Sequence, residues 1–139
     1  MRIGKKPQYQ RFTSIIICVL IYFLLLNNGA FAHGWKSPEK DAKVKNPNEY
    51  SKTSISRGQE SYLDLCSNCH GDDTRGGDSE KWKGKMTPPD LVQRLKNHSD
   101  GDFFWKIQKG RGDMPSFKED IEPDEIWDMI NFIKSLSQK

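Results

Sequence analysis

Residues 66–70 read C-S-N-C-H. Two thiols and an imidazole within five residues can hold zinc, cycle between dithiol and disulfide, or carry a covalently attached haem. The rest of the chain chooses among these chemistries. Zinc needs four ligands, usually two close pairs. Beyond Cys66, Cys69 and His70 the chain offers His33 and His98, with Cys18 inside the N-terminal apolar run, and they form no second pair. A thioredoxin-like cycle expects the cysteines to follow a strand in an α/β pattern. A helical pattern leads into them here, and no stretch alternates as a strand does. A disulfide across two residues closes a tiny loop and restrains the unfolded chain little.

The haem reading uses every residue of the motif, because C-x-x-C-H is the attachment pattern of c-type haem. The two thiols add to two vinyl groups as thioethers, the short gap brings both sulfurs to one macrocycle, and His70 reaches the iron from one face. A single haem c is expected. The opposite face then needs a ligand, for which Met86, Met114, Met129 and His98 are the candidates. Met129 falls within the apolar arc of a C-terminal helix, where packing is the better account. His98 sits beside a helix cap, and Met86 stands in a polar loop. Met114 lies in G-D-M-P-S-F, between two helices, with Gly110 and Gly112 before it, Pro115 fixing the backbone after it and Phe117 to shield it. His70 and Met114 are therefore the expected iron ligands.

Four helical segments must position these groups. Gly58, Tyr62, Leu65, Cys66 and Cys69 recur at helical spacing and give one apolar face leading into the motif. Residues 71–88 hold four glycines and many charges and read as a loop long enough to wrap something. Pro88 and Pro89 suit the start of a short helix ending near Asn97. Ser99 with Asp102 resembles a capping box, opening a helix that Gly110 stops. Pro123 and two acids open the last helix, whose apolar arc of roughly 220° calls for two neighbours, with Asp128, Asn131 and Ser135 on the remainder. The fold class is all-α, with about four short helices around one haem.

With R-G-Q-E-S-Y-L-D-L-C-S-N-C-H-G, G-R-G-D-M-P-S-F and D-E-I-W-D-M-I-N-F-I-K-S-L in this order, the chain resembles the class I monohaem c-type cytochromes from Gly58 to Leu136. The resemblance implies that the first and last helices cross with a glycine and an aromatic ring in contact, for which Gly58, Tyr62 and Trp127 are available. It also implies a proline carbonyl that accepts a hydrogen bond from His70, at Pro88 or Pro89. With both axial positions filled, the iron is closed to substrate, and the protein is expected to carry electrons rather than to be an enzyme. The early position of the motif disfavours a gas-binding cytochrome with open iron. The main alternative is a membrane-anchored or complex-bound haem subunit of a larger oxidoreductase.

The chain begins with Arg2, Lys5, Lys6 and Arg11, an apolar run from Ile15 to Leu26, and N-N-G-A-F-A. That order is a signal peptide with cleavage expected after Ala32, and the 12-residue apolar run is short for a spanning helix of about 20. The expected organisation is a signal peptide at 1–32, an extended polar arm at 33–55 and the compact domain at 56–139. Export to a periplasmic or equivalent space follows, with membrane contact only if the leader is retained as an anchor. Without its leader the chain has 107 residues and 18 Lys/Arg against 19 Asp/Glu, so nucleic-acid binding drops out. Residues 81–118 carry a net charge of +5 between segments of −2 and −4. Lys106, Lys109, Arg111 and Lys118 flank the Met114 loop, and this basic rim suits acidic redox partner proteins, an electron donor and an acceptor.

Overall fold

The computed structural model describes residues 34–76 and 82–137. The leader, His33 and residues 77–81 of the glycine-rich loop lie outside them. Six helices occur among the described residues: α1 (Glu39–Ala42), α2 (Lys52–Leu65), α3 (Ser67–His70), α4 (Leu91–Leu95), α5 (Asp100–Lys109) and α6 (Pro123–Leu136). Four are the expected ones; α1 and α3 are single turns added to them. Among the described residues there is no strand, only one isolated bridge between Arg111 and Met114. No described helix is long and apolar enough to cross a membrane.

The helix ends follow local chemistry. The Ser51 hydroxyl accepts from Ser54 N at 3.2 Å and starts α2 at Lys52, six residues before the apolar pattern begins at Gly58. Asp90 caps α4 by accepting from Gln93 N at 2.8 Å, so Pro88 and Pro89 precede that helix rather than begin it. Ser99 accepts from Asp102 N at 3.2 Å, and Gly110 ends α5 at φ 63°. Glu122 and Glu125 form the reciprocal capping box of α6, with Pro123 in its first turn.

The most extensive helix contact is the crossing of α2 and α6. Gly58 permits it, since a Cβ there would stand 2.0 Å from the Asp128 carbonyl oxygen. Tyr62 tilts against Phe132 at 5.3 Å between centroids, while Trp127 stacks on Phe104 of α5 at 4.1 Å. Leu65, placed on the apolar face by its spacing, is exposed.

α6 is buried on every side from Ile126 to Phe132 and Ile133, including Asp128 and Asn131, which the helical pattern assigns to solvent. Their cover is the segment read from sequence as an extended arm. Asn48 Nδ2 donates to Asp128 Oδ1 at 2.9 Å, and Asn46 Nδ2 donates to Asn131 Oδ1 and to the Trp127 carbonyl, each at 3.0 Å. Ser54 Oγ and Arg57 Nε, the latter at 2.7 Å, complete the Asp128 carboxylate. A buried carboxylate is tolerable only when its oxygens are satisfied in this way. The same segment docks on α5, where Ser37 N donates to Asp102 Oδ1 at 2.6 Å and Gly101 lets the Asp41 carbonyl approach to 2.2 Å of its Cβ direction.

Candidate haem site

The motif sits where α2 breaks into α3. Cys66 ends α2, and its carbonyl accepts from His70 N at 2.9 Å, so one turn carries both thiols and the imidazole. The phenol of Tyr62 donates to the Gly71 carbonyl at 2.8 Å and fixes the exit from that turn, which reverses at Gly71 with φ 77°. Cys66 and Cys69 are unbridged thiols. Burial, with Cys69 beside it, pushes the Cys66 thiol up to about 12, and its sulfur lies 4.0 Å from Met129 Sδ of α6. Met129, one of the candidate ligands, is fully buried in the core.

Burial holds the His70 imidazole below its usual range, opposed by the backbone of Pro89. Since proline has no N–H, the acting group is the Pro89 carbonyl. No formed hydrogen bond reaches His70 Nδ1, so the carbonyl acts as a polar neighbour of the ring and not as a closed bond partner. A neutral imidazole is the metal-binding form. The prolines reach this place because Gly76, at φ 65°, has no side chain to strike the Pro88 carbonyl, 2.1 Å from its Cβ direction. Leu91 N donates to the Thr74 carbonyl at 2.9 Å and closes the same small fold of chain. Thr74 is fully buried in the left-handed region at φ 64°, a conformation costing a non-glycine residue about 1–2 kcal/mol, and its hydroxyl has no partner.

Met114 arrives from the other end of the domain. Arg111 N donates to the Met114 carbonyl at 2.8 Å and Met114 N to the Arg111 carbonyl at 3.1 Å, closing a tight turn. Gly110 allows the Pro115 backbone to pass within 2.4 Å of its Cβ direction. Met114 and Phe117 are half-buried and pack against the core, as Cys66 does. Met86 is 58% exposed. His98 is turned to Asp102, with Nδ1 2.7 Å from its carboxylate, and Lys106 Nζ lies 2.5 Å from the same oxygen. Lys106 Nζ also lies within hydrogen-bond distance of His98 Nδ1, at 3.1 Å, while Asp102 Oδ2 makes no well-aligned hydrogen bond among the described residues. Lys106 is thereby withdrawn from the basic rim, while Lys83, Lys85, Lys109 and Arg111 are exposed.

The residues fit a covalently bound haem: two free thiols on one turn, a buried ring favoured in its neutral form, and buried polar atoms of His70 and Thr74 that lack partners among the described residues. Among the described residues no three His, Cys, Asp or Glu side chains gather as a metal site of the zinc kind. A helix crossing at a glycine, with C-x-x-C-H at the end of its first helix, is the arrangement of a small all-α c-type cytochrome. The chain belongs to the family described as cytochrome c oxidase, cbb3-type, subunit III, whose model matches residues 53–133. It is a protein that binds haem c covalently and takes part in electron transfer.

A chain of the Kuenenia stuttgartiensis reducing HAO-like protein complex is similar in fold, with a TM-score of 0.55 and 24% identity over 76% of this chain. The match spans about half, 53%, of that longer chain. No curated protein matches the sequence.

Proposed function

We propose that Cys66 and Cys69 hold the haem as thioethers, that His70 and Met114 bind its iron from opposite faces, and that the protein is an exported one-electron carrier. The observation that carries this reading is the convergence of Cys66 and Met114 on one apolar core from segments far apart in sequence. When bound, the haem supplies a reversible one-electron couple. The chain's own residues do the rest. Cys66 and Cys69 fix the macrocycle to α2 and α3. The Pro89 carbonyl stands beside the His70 ring, and a polar neighbour of this kind tunes a ligand's basicity. Met114 and Phe117 keep water from the distal side, and a thioether ligand in an apolar wall favours the reduced state.

The test is the absorption spectrum of the exported protein, with a pyridine haemochrome and the Met114→Ala variant alongside. A haemochrome of the two-thioether type is expected, and the variant is expected to lose its sulfur-to-iron band. Absence of covalent haem would end the reading, and a retained band would move the ligand to Met86.

Residues 1–32 support export by their basic, apolar and small-residue order, with cleavage after Ala32. N-terminal sequencing of the purified protein is expected to begin at His33. A second reading is a haem subunit held in a larger oxidoreductase. The family's description names an oxidase subunit, and the similar solved chain belongs to a complex. Gentle extraction and sizing separate the two, since a carrier migrates alone and a subunit co-migrates with its complex.

A further inference from the structure

One carboxylate joins the two loops on either side of the proposed distal ligand. Asp113, the residue before Met114, accepts with a single oxygen from Lys85 N at 2.8 Å and Met86 N at 3.1 Å. The receiving loop is itself folded tightly. Trp82 Nε1 donates to the Met86 carbonyl at 2.9 Å, and the Trp82 ring lies over Gly84, where any side chain would strike it. Met86 Cε in turn rests 3.2 Å from the Cβ direction of Gly112, on the near side of the Met114 turn. The Trp82–Met86 loop and the Arg111–Met114 turn thus form one clasped unit, although the loops are separated by α4 and α5.

We infer that Asp113 is a positioning residue that latches the Met114 turn closed over the distal face of the haem. The inference rests on Met114 as iron ligand. For Met114 to leave the iron, its turn must swing outward, which parts Asp113 from the Lys85 and Met86 amides. The latch therefore stabilises the ligated state relative to the open one. An external ligand that replaces Met114 binds only the open population, so its apparent affinity reports that population directly. Loss of both amide-to-carboxylate bonds is expected to raise the open population roughly tenfold.

The experiment is titration of the oxidised holoprotein with imidazole, followed by the Soret shift, for wild type and for Asp113→Ala, Asp113→Asn and Asp113→Glu. Asp113→Ala is expected to bind imidazole roughly tenfold more tightly than wild type. Asp113→Asn is expected to stay near wild type, because its amide oxygen accepts the same two bonds without the charge, and Asp113→Glu to fall between. This ranking also separates the latch from a charge effect on the iron. An affinity of Asp113→Ala equal to wild type overturns the latch, and so does a tight-binding Asp113→Asn that matches Asp113→Ala. Should Asp113→Ala fail to accumulate, Asp113→Asn paired with Lys85→Pro, which deletes one donated N–H from the other side, carries the same comparison. Lys85→Pro binding no more tightly than wild type overturns the proposal. A Met114→Ala holoprotein that keeps its sulfur-to-iron band shows instead that the ligand reading beneath it is at fault.

Discussion

Gly58 and Asp128 meet backbone to backbone where α2 crosses α6, and no atom larger than hydrogen fits between the Gly58 α-carbon and the Asp128 carbonyl. A Cβ at Gly58 would lie 2.0 Å from that oxygen and 2.7 Å from Met129 N. Both obstacles are backbone, so relief requires the helices to part. Gly58→Ala is expected to lose about 1–3 kcal/mol of stability, despite alanine's better helix propensity. The midpoint of guanidinium unfolding measures it, and an unchanged or raised midpoint contradicts the crossing.

Asp128 should be the most sensitive polar residue of the scaffold. Its carboxylate is buried, while the Arg57 side chain that pairs with it is 60% exposed. Asp128→Ala leaves Ser54 and Asn48 with unmet bonds and is expected to cost about 2–4 kcal/mol. Arg57→Ala, which removes an exposed partner, is expected to cost less than about 1 kcal/mol. Equal losses in the two variants, read from urea or guanidinium melts, would show that the ion pair outweighs the buried hydrogen bonds.

Acid should weaken the domain in two stages. Burial holds the His98 imidazole below its ordinary range, with Lys106 and Arg94 acting the same way and Asp102 opposing them. The unfolded chain therefore binds a proton at His98 that the folded protein resists, and stability falls as pH drops below about 6.5. Burial pushes the Asp102 carboxyl upward, but Lys106 and Ser37 hold it below the usual range. Its contribution is present above about pH 3.9 and is lost as pH falls through the depressed value. Unfolding free energies between about pH 7 and 5 should decline in wild type and flatten in His98→Gln, with the later loss below about pH 4 retained. A variant slope equal to that of wild type removes His98 from the account.

Electron exchange with an acidic partner should slow as salt is added. Lys83, Lys85, Lys109 and Arg111 are exposed around the clasped loops, and screening shortens the reach of such charges to about 10 Å at 0.1 M salt. Lys85→Glu is expected to lower the second-order rate several-fold at low salt and little at high salt, whereas Lys106→Gln should act mainly on stability, since Lys106 is bound to Asp102. Stopped-flow kinetics at graded ionic strength resolve the two, and a salt-independent rate refutes steering.

The chemistry of the site was legible because it is local. C-S-N-C-H lies on a single turn, and the Gly58, Ser99, Gly110 and Pro123 signals each concern neighbours a few residues away. What escaped the sequence is long-range. Asp128 and Asn131 look like a solvated helix face until the segment carrying Asn46 and Asn48, more than 75 residues earlier, covers them. That segment has too few apolar residues to announce itself, since it docks through amides and backbone. Leu65 kept its helical phase yet is exposed, because phase fixes a face and not what covers it. The identity of the aromatic pair at the helix crossing likewise depended on packing that spacing alone leaves open, and the Asp113 clasp joins two loops whose separation hides it from any pattern search.

The dependence of α6 on that early segment has a consequence for the newly made chain. Asn46 and Asn48 have their partners at Trp127, Asp128 and Asn131, so the segment that carries them cannot settle before α6 is in place. Cys66 is covered by Met129 of the same helix. Until α6 docks on α2, the Cys66 sulfur lacks the cover of Met129 and stays within reach of an attachment machinery.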